Sequence, residues 1–169
     1  MKQTLLGIVL VPMMAALSGC APQSGAEQPV RADRWEVTPA DRDGLTVAAI
    51  SAPDGNNRIQ VYCHAPDKVM AVMLFPRDLP GDAKDQRFTF AYDGGAPVEQ
   101  HWRAQMYQDR FYDFSLGSEE PAFAAAIDDL ENHQSVVAAI ITAGKEARRD
   151  TFTLSGAAEA IDQVAAACR

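Results

Sequence analysis

Arg58-Ile59-Gln60-Val61-Tyr62-Cys63 alternates apolar and polar side chains without a break. This period of two puts Ile59, Val61 and Cys63 on one face of a β-strand. Pro53-Asp54-Gly55-Asn56-Asn57 precedes it and Pro66-Asp67 follows, both turn-forming clusters. The pattern then repeats outward. Leu45 to Ile50 reads as a strand on the N-terminal side, and Lys68 to Phe75 (KVMAVMLF) as one on the other. After a polar loop containing Pro80-Gly81-Asp82, Arg87 to Tyr92 alternates with Phe88 and Phe90 on one face. Asp93-Gly94-Gly95 is a tight hairpin turn leading into a strand over 97–102 that carries His101 and Trp102. Arg110 to Leu116 (RFYDFSL) is a further strand.

Beyond Gly117 the period changes. Ser118 reads as the cap of a helix running through Asn132, with Glu119 and Glu120 in its first turn and Phe123, Ile127 and Leu130 as its apolar stripe. Ser135 to Thr142 is a buried strand and Asp150 to Leu154 another. Gly156 opens a terminal helix with Glu159 three residues on, whose stripe is Ala157, Ile161, Val164 and Cys168. About seven or eight short strands and two helices specify a β-rich α+β fold. The expected form is an antiparallel sandwich or half-barrel with the helices over its open face or edge.

At the other end of the chain, Leu17-Ser18-Gly19-Cys20 closes a leader with a cation at Lys2 and an apolar run from Leu5 to Leu17. Small residues before the cut are what a secretory signal requires. The cysteine directly after it resembles the bacterial lipobox, which implies lipidation of Cys20 and removal of residues 1–19. A transmembrane anchor fits less well, because a spanning helix needs roughly 20 apolar residues and Pro12 interrupts a shorter run. An ordinary signal peptide with a coincidental cysteine is the remaining rival. Ala21 follows the cysteine, where no aspartate argues for inner-membrane retention. In a Gram-negative cell the resemblance therefore implies the periplasmic face of the outer membrane. Residues 20–33, rich in Pro, Gly, Ser and Ala, read as lipidated cysteine and flexible tether, and 34–169 as one globular domain beginning near Trp35.

The chain carries a net charge of −8, and loss of Lys2 with the leader makes it one unit more acidic. That balance argues against nucleic acid as a partner. Hydrophobic residues at 47% fit a packed domain instead of a disordered chain. With Cys20 taken by lipid, Cys63 and Cys168 remain, and export places them in an oxidising compartment. One lies on the core face of a strand and the other on the apolar stripe of a helix, so they are expected to form a disulfide. A lone nucleophilic cysteine is the disfavoured alternative.

Trp35, the strand ending in Cys63, the Tyr92-Asp93-Gly94-Gly95 hairpin, and Phe152 to Gly156 running on to Ala167-Cys168 together resemble two groups. These are the invasion-associated locus B family and the periplasmic accessory proteins of type VI secretion. The resemblance covers Trp35 to Arg169 and implies a disulfide-bonded, β-rich periplasmic domain with a role in envelope or host interaction.

No catalytic motif emerges. His64, His101 and His133 lack the spacing of a zinc site, and neither a nucleophile elbow nor a phosphate-binding glycine loop occurs. No cofactor and no metal are expected. The carboxylate pairs Glu119-Glu120 and Asp128-Asp129 sit on one helix, where adjacent side chains diverge. Glu99, His101 and Asp93 are the only hydrolase candidates, and they would need a shared pocket. One aromatic and basic stretch, 101–114, holds the residue types that anchor interfaces. Trp102, Arg103, Tyr107 and Arg110 are its binding candidates, against the plainer reading that the rings fill the core. The function these features point to is a non-enzymatic envelope lipoprotein, a periplasm-facing module for another protein or peptidoglycan. The alternative is an inhibitor of a host hydrolase such as lysozyme.

Overall fold

A computed structural model describes residues 33–76, 86–107 and 110–169; the side chains of 75, 76, 86, 104–107 and 110–112 lie outside the description. The leader, Cys20, the tether up to residue 32 and the Pro80-Gly81-Asp82 loop fall outside the described residues.

Ten strands and two helices are described. They run β1 (Glu36–Thr38), β2 (Leu45–Ser51), β3 (Asn57–His64), β4 (Val69–Pro76), β5 (Gln86–Tyr92), β6 (Val98–Gln100), β7 (Arg103–Tyr107), β8 (Arg110–Gly117), α1 (Phe123–Asn132), β9 (Ser135–Thr142), β10 (Lys145–Thr153) and α2 (Ala157–Ala167). A six-stranded sheet has the order β1-β2-β3-β4-β8-β7, and a four-stranded sheet the order β10-β9-β5-β6, antiparallel throughout. The fold is β-rich α+β, as the alternation implies.

Register shows why the alternating residues matter. Ile50, Ile59, Leu74 and Phe114 lie side by side across four strands, and Ala48, Val61, Val72 and Leu116 form the next row. All eight are buried, so this face of the larger sheet is the core face. The smaller sheet contributes Phe88, Phe90, Val136, Ala138, Ile140 and Phe152 to the same cluster. Phe88 meets Phe114 edge to face with ring centroids 4.0 Å apart, which joins the two sheets. The helices fill the rest of the core face: α2 contacts β1, β2 and β3, and α1 contacts β4 and α2. Ala126 and Leu130 of α1, with Ala157, Ala160, Ile161 and Val164 of α2, point inward. Cys63 of β3 is bonded to Cys168 just beyond α2, with Cα atoms 5.8 Å apart. The expected disulfide is therefore present, and it fixes the last helix to the third strand. Among the described residues no helix is long and apolar enough to cross a membrane.

Edge strands β1 and β7 bring the expected seven or eight strands to ten, and three further details depart from the sequence reading. Helix α1 begins at Phe123, not after Ser118. Ser118 N–H donates to Met70 O and Glu120 N–H to Gly117 O, so 118–122 form a turn. Pro121 explains the delay, because the residue before a proline is pushed out of the helical region. The strand expected over 97–102 is only Val98–Gln100; His101 and Trp102 form the link from the smaller sheet to the larger one. The polar segment 145–149 is also strand, the outer half of β10, turned from β9 through Ala143 and Gly144, both at positive φ.

Candidate functional site

Of the four binding candidates, Trp102 is half-buried and stacks on Phe90 at 5.2 Å between ring centroids. Its Nε1 donates to Gln100 Oε1 at 2.9 Å. The ring packs against the core cluster, which is the plainer of the two readings. Arg103 opens β7, an edge strand of the six-stranded sheet. Its side chain is 60% exposed and pairs with Glu120 at 3.3 Å. Tyr107 at the end of β7 and Arg110 at the start of β8 face each other in the register of the hairpin; their side chains lie outside the description. The structure thus sets Arg103, Tyr107 and Arg110 on one hairpin and places Trp102 against the core.

Asp113, on the same hairpin, is a group the sequence reading missed. It alternates with Phe114, so it points to the face of the sheet opposite the core. It is nevertheless only 1% exposed, and its Oδ1 has no hydrogen-bond partner. Burial pushes its carboxyl up to about 6. Nothing in RFYDFSL distinguishes it from a solvated polar residue between two aromatics, since an outward position normally means exposure.

The hydrolase candidates divide between two clusters. Asp93 sits at the β5–β6 turn with φ of 48°, followed by Gly94 at 76°. Its Oδ1 accepts from the N–H groups of Gln134 and Ser135, both at 2.9 Å, and its Oδ2 lies 2.9 Å from His133 Nδ1. The His133 hydrogen bond and then the Ser135 N–H hold the Asp93 carboxyl below its ordinary range. The His133 ring stacks on Tyr92, 4.9 Å away. An Asp–His pair suggests general-base chemistry. Here, however, His133 Nε2 faces Asp129 at 4.0 Å, and the Ser135 hydroxyl donates to Asp93. The arrangement ties the hairpin turn to the start of β9. Glu99 is engaged elsewhere, with Arg87 at 3.4 Å and His101 at 3.9 Å. His64 pairs with Asp67 at the β3–β4 turn, 2.8 Å apart.

A fourth polar cluster joins the sheets. Arg148 and Asp150 share the core-facing side of β10, in register with Ile140 and Ala138. Arg148 Nε donates to Asp150 Oδ2 at 2.9 Å and its Nη2 to Asp54 Oδ2 at 2.5 Å, in the β2–β3 turn. Asn57 Nδ2 donates to Asp150 as well. Arg149, beside it, pairs with Glu146. The one adjacent basic pair in the sequence is therefore occupied by carboxylates. Among the described residues no group of three His, Cys, Asp or Glu converges to hold a metal ion.

Comparison of the chain with known protein families, curated proteins and solved structures finds no match.

Proposed function

We propose that the chain is an exported, lipid-anchored binding module of the bacterial envelope, facing the periplasm and non-enzymatic, with the β7–β8 hairpin as its contact surface. The observation that carries this reading is edge strand β7, which brings Arg103 out at 60% exposure on a sheet edge. An edge offers unpaired backbone groups to a partner, and Arg is an interface anchor. The Cys63–Cys168 bridge supports export, because such bridges persist in oxidising compartments. Lipobox-like Leu17 to Cys20 supports the anchor, and several acyl chains at about 0.8 kcal/mol per buried methylene hold a protein firmly. The polar clusters at Asp93 and Arg148 each tie two elements together, which gives them a structural role.

Arg103→Ala, Tyr107→Ala and Arg110→Ala combined should reduce capture of an envelope protein or peptidoglycan about tenfold or more, with thermal unfolding little changed. Interface hot spots contribute about 2 kcal/mol each, so losing one suffices for that effect. The readout is cross-linking pull-down from intact envelopes with the tagged, lipidated chain. Undiminished capture by the triple variant removes the hairpin from the interface.

A second reading, inhibition of a host hydrolase such as lysozyme, draws on the helix layer. Helices α1 and α2 carry Asp128, Asp129, Glu131, Glu159 and Asp162 and neither Lys nor Arg. Asp162 and Asp128 add to burial in raising the Glu131 carboxyl, a sign that these charges repel one another. Such a surface complements a basic enzyme. Added protein should slow lysis of a cell-wall suspension by lysozyme in a turbidity assay; an unchanged rate at excess protein rejects this reading.

A further inference from the structure

We propose that Asp113 is a pH-sensitive latch on the β7–β8 hairpin: the protonated carboxyl holds edge strand β7 against the sheet, and ionisation loosens it. The regulatory meaning rests on the reading above that this hairpin is the contact surface.

The geometry sets the latch at the weakest part of the sheet. Among the described residues β7 pairs with β8 and with no other strand. Asp113 lies opposite Gln105, and the register shifts between Gln105 and Met106, so the ladder is irregular beside the buried carboxyl. A carboxylate at 1% exposure with one oxygen unpartnered carries an uncompensated charge when ionised. Loosening β7, which pairs with β8 beside Asp113, gives that charge a route to water.

Burial raises the Asp113 carboxyl, and among the described residues no cation is seen to oppose it. On the same face, register places Tyr62 and Arg58 on β3, Met73 and Ala71 on β4, and Val47, Ala49 and Ser51 on β2. Arg103 is the described cation of β7, and it pairs with Glu120, which with Glu119 follows β8. Arg58 is engaged elsewhere, with Gln60 as one acceptor in the amide orientation that satisfies both groups. Burial raises the Tyr62 phenol first, and the charges of Asp113 and Glu119 raise it further. Tyr62 therefore stays neutral and adds no second negative charge beside Asp113.

The sign follows from linkage. Asp113 has a carboxyl at about 6 in the closed hairpin, against 3.8 for an ordinary aspartate. The closed form binds the proton more tightly, so its advantage is complete below the ordinary value. It fades as pH rises toward 6 and is gone above it. Between pH 4.5 and 7.5 the opening equilibrium should rise roughly tenfold to thirtyfold. Capture through the hairpin should accordingly be stronger in mild acid.

Amide hydrogen exchange of residues 103–107 tests the latch on the full lipidated chain in detergent, after correction for intrinsic exchange. Protection should fall by that factor from pH 4.5 to 7.5 in the wild type and stay level in Asp113→Asn. An equal fall in the variant, or none in the wild type, overturns the proposal. Should the variant fail to fold, carbon NMR titration of the wild-type Asp113 carboxyl decides, and a midpoint near 3.8 also overturns it. Neither measurement needs a partner. A working latch with capture indifferent to Arg103, Tyr107 and Arg110 would thus reject the contact surface and leave the latch standing.

Discussion

Replacing Cys63 and Cys168 together by Ala should lower the unfolding free energy by about 2–4 kcal/mol, measured by denaturant titration against the oxidised wild type. The bridge spans 105 residues of sequence. In the chain-entropy view a loop of that size contributes up to ~4.7 kcal/mol, and typical bridges deliver somewhat less. For a domain near 150 residues each kcal/mol moves the thermal midpoint by roughly 3–4 °C, so a drop of about 10 °C is expected. Reduction with dithiothreitol should reproduce it. The loss should concentrate in α2, which is only eleven residues long and too short to be helical alone. Four of its side chains, Ala157, Ala160, Ile161 and Val164, reach the core, and three of its neighbours are the short strand β1 and the strands β2 and β3. Helical circular dichroism should therefore decline before the β signal as the reduced protein is heated. A change under 1 kcal/mol would mean that packing alone holds α2 in place, and the bridge would then have little part in the fold.

The two sides of that bridge were readable because each obeys its own period. Ile59, Val61 and Cys63 alternate and all three are fully buried, while Ala157, Ile161 and Val164 recur on one helix face. Strands β1 and β7 left weaker signals. Glu36-Val37-Thr38 has one apolar residue and is half-buried to exposed, and Arg103 to Tyr107 alternates only through Ala104 and Met106. Short edge strands bury too little for a pattern to form. Lys145 to Arg149 fails for a related reason: it is the polar end of an edge strand, and a positive-φ pair at Ala143-Gly144 makes the turn where Asn-Gly is the usual signal. The polar clusters were the least legible part. Asp93 was readable as a turn residue, yet its partners His133, Gln134 and Ser135 lie some 40 positions away, and only the strand order brings them together. Asp113 was hidden for the opposite reason, since local alternation correctly gives its direction and says nothing of its burial.

Arg148→Ala should cost about 3 kcal/mol of stability, and the size of the loss comes from what the arginine leaves behind. Edge strand β10 turns Arg148 and Asp150 toward the interior, a placement that discourages pairing with another chain. The Asp150 side chain is 7% exposed and that of Arg148 23%. Without the guanidinium, Asp150 keeps Asn57 as its neutral partner and loses its counter-charge. Breaking a buried pair from one side typically costs 3–5 kcal/mol. The partial exposure of Arg148 sets the expectation at the lower end, because water can enter the vacated space. Asp54, nearly half exposed, should add little. Arg148→Met combined with Asp150→Asn should recover most of the loss, since the second change removes the charge that the first one strands. Urea unfolding of the wild type, Arg148→Met, Asp150→Asn and the double variant closes the cycle. A coupling energy of about 2 kcal/mol or more assigns the pair a joint role in holding β10 to the β2–β3 turn. If instead the double variant loses the sum of the two singles, the pair is uncoupled, and the sheets are held together by the contact of Phe88 with Phe114 and the apolar rows behind it.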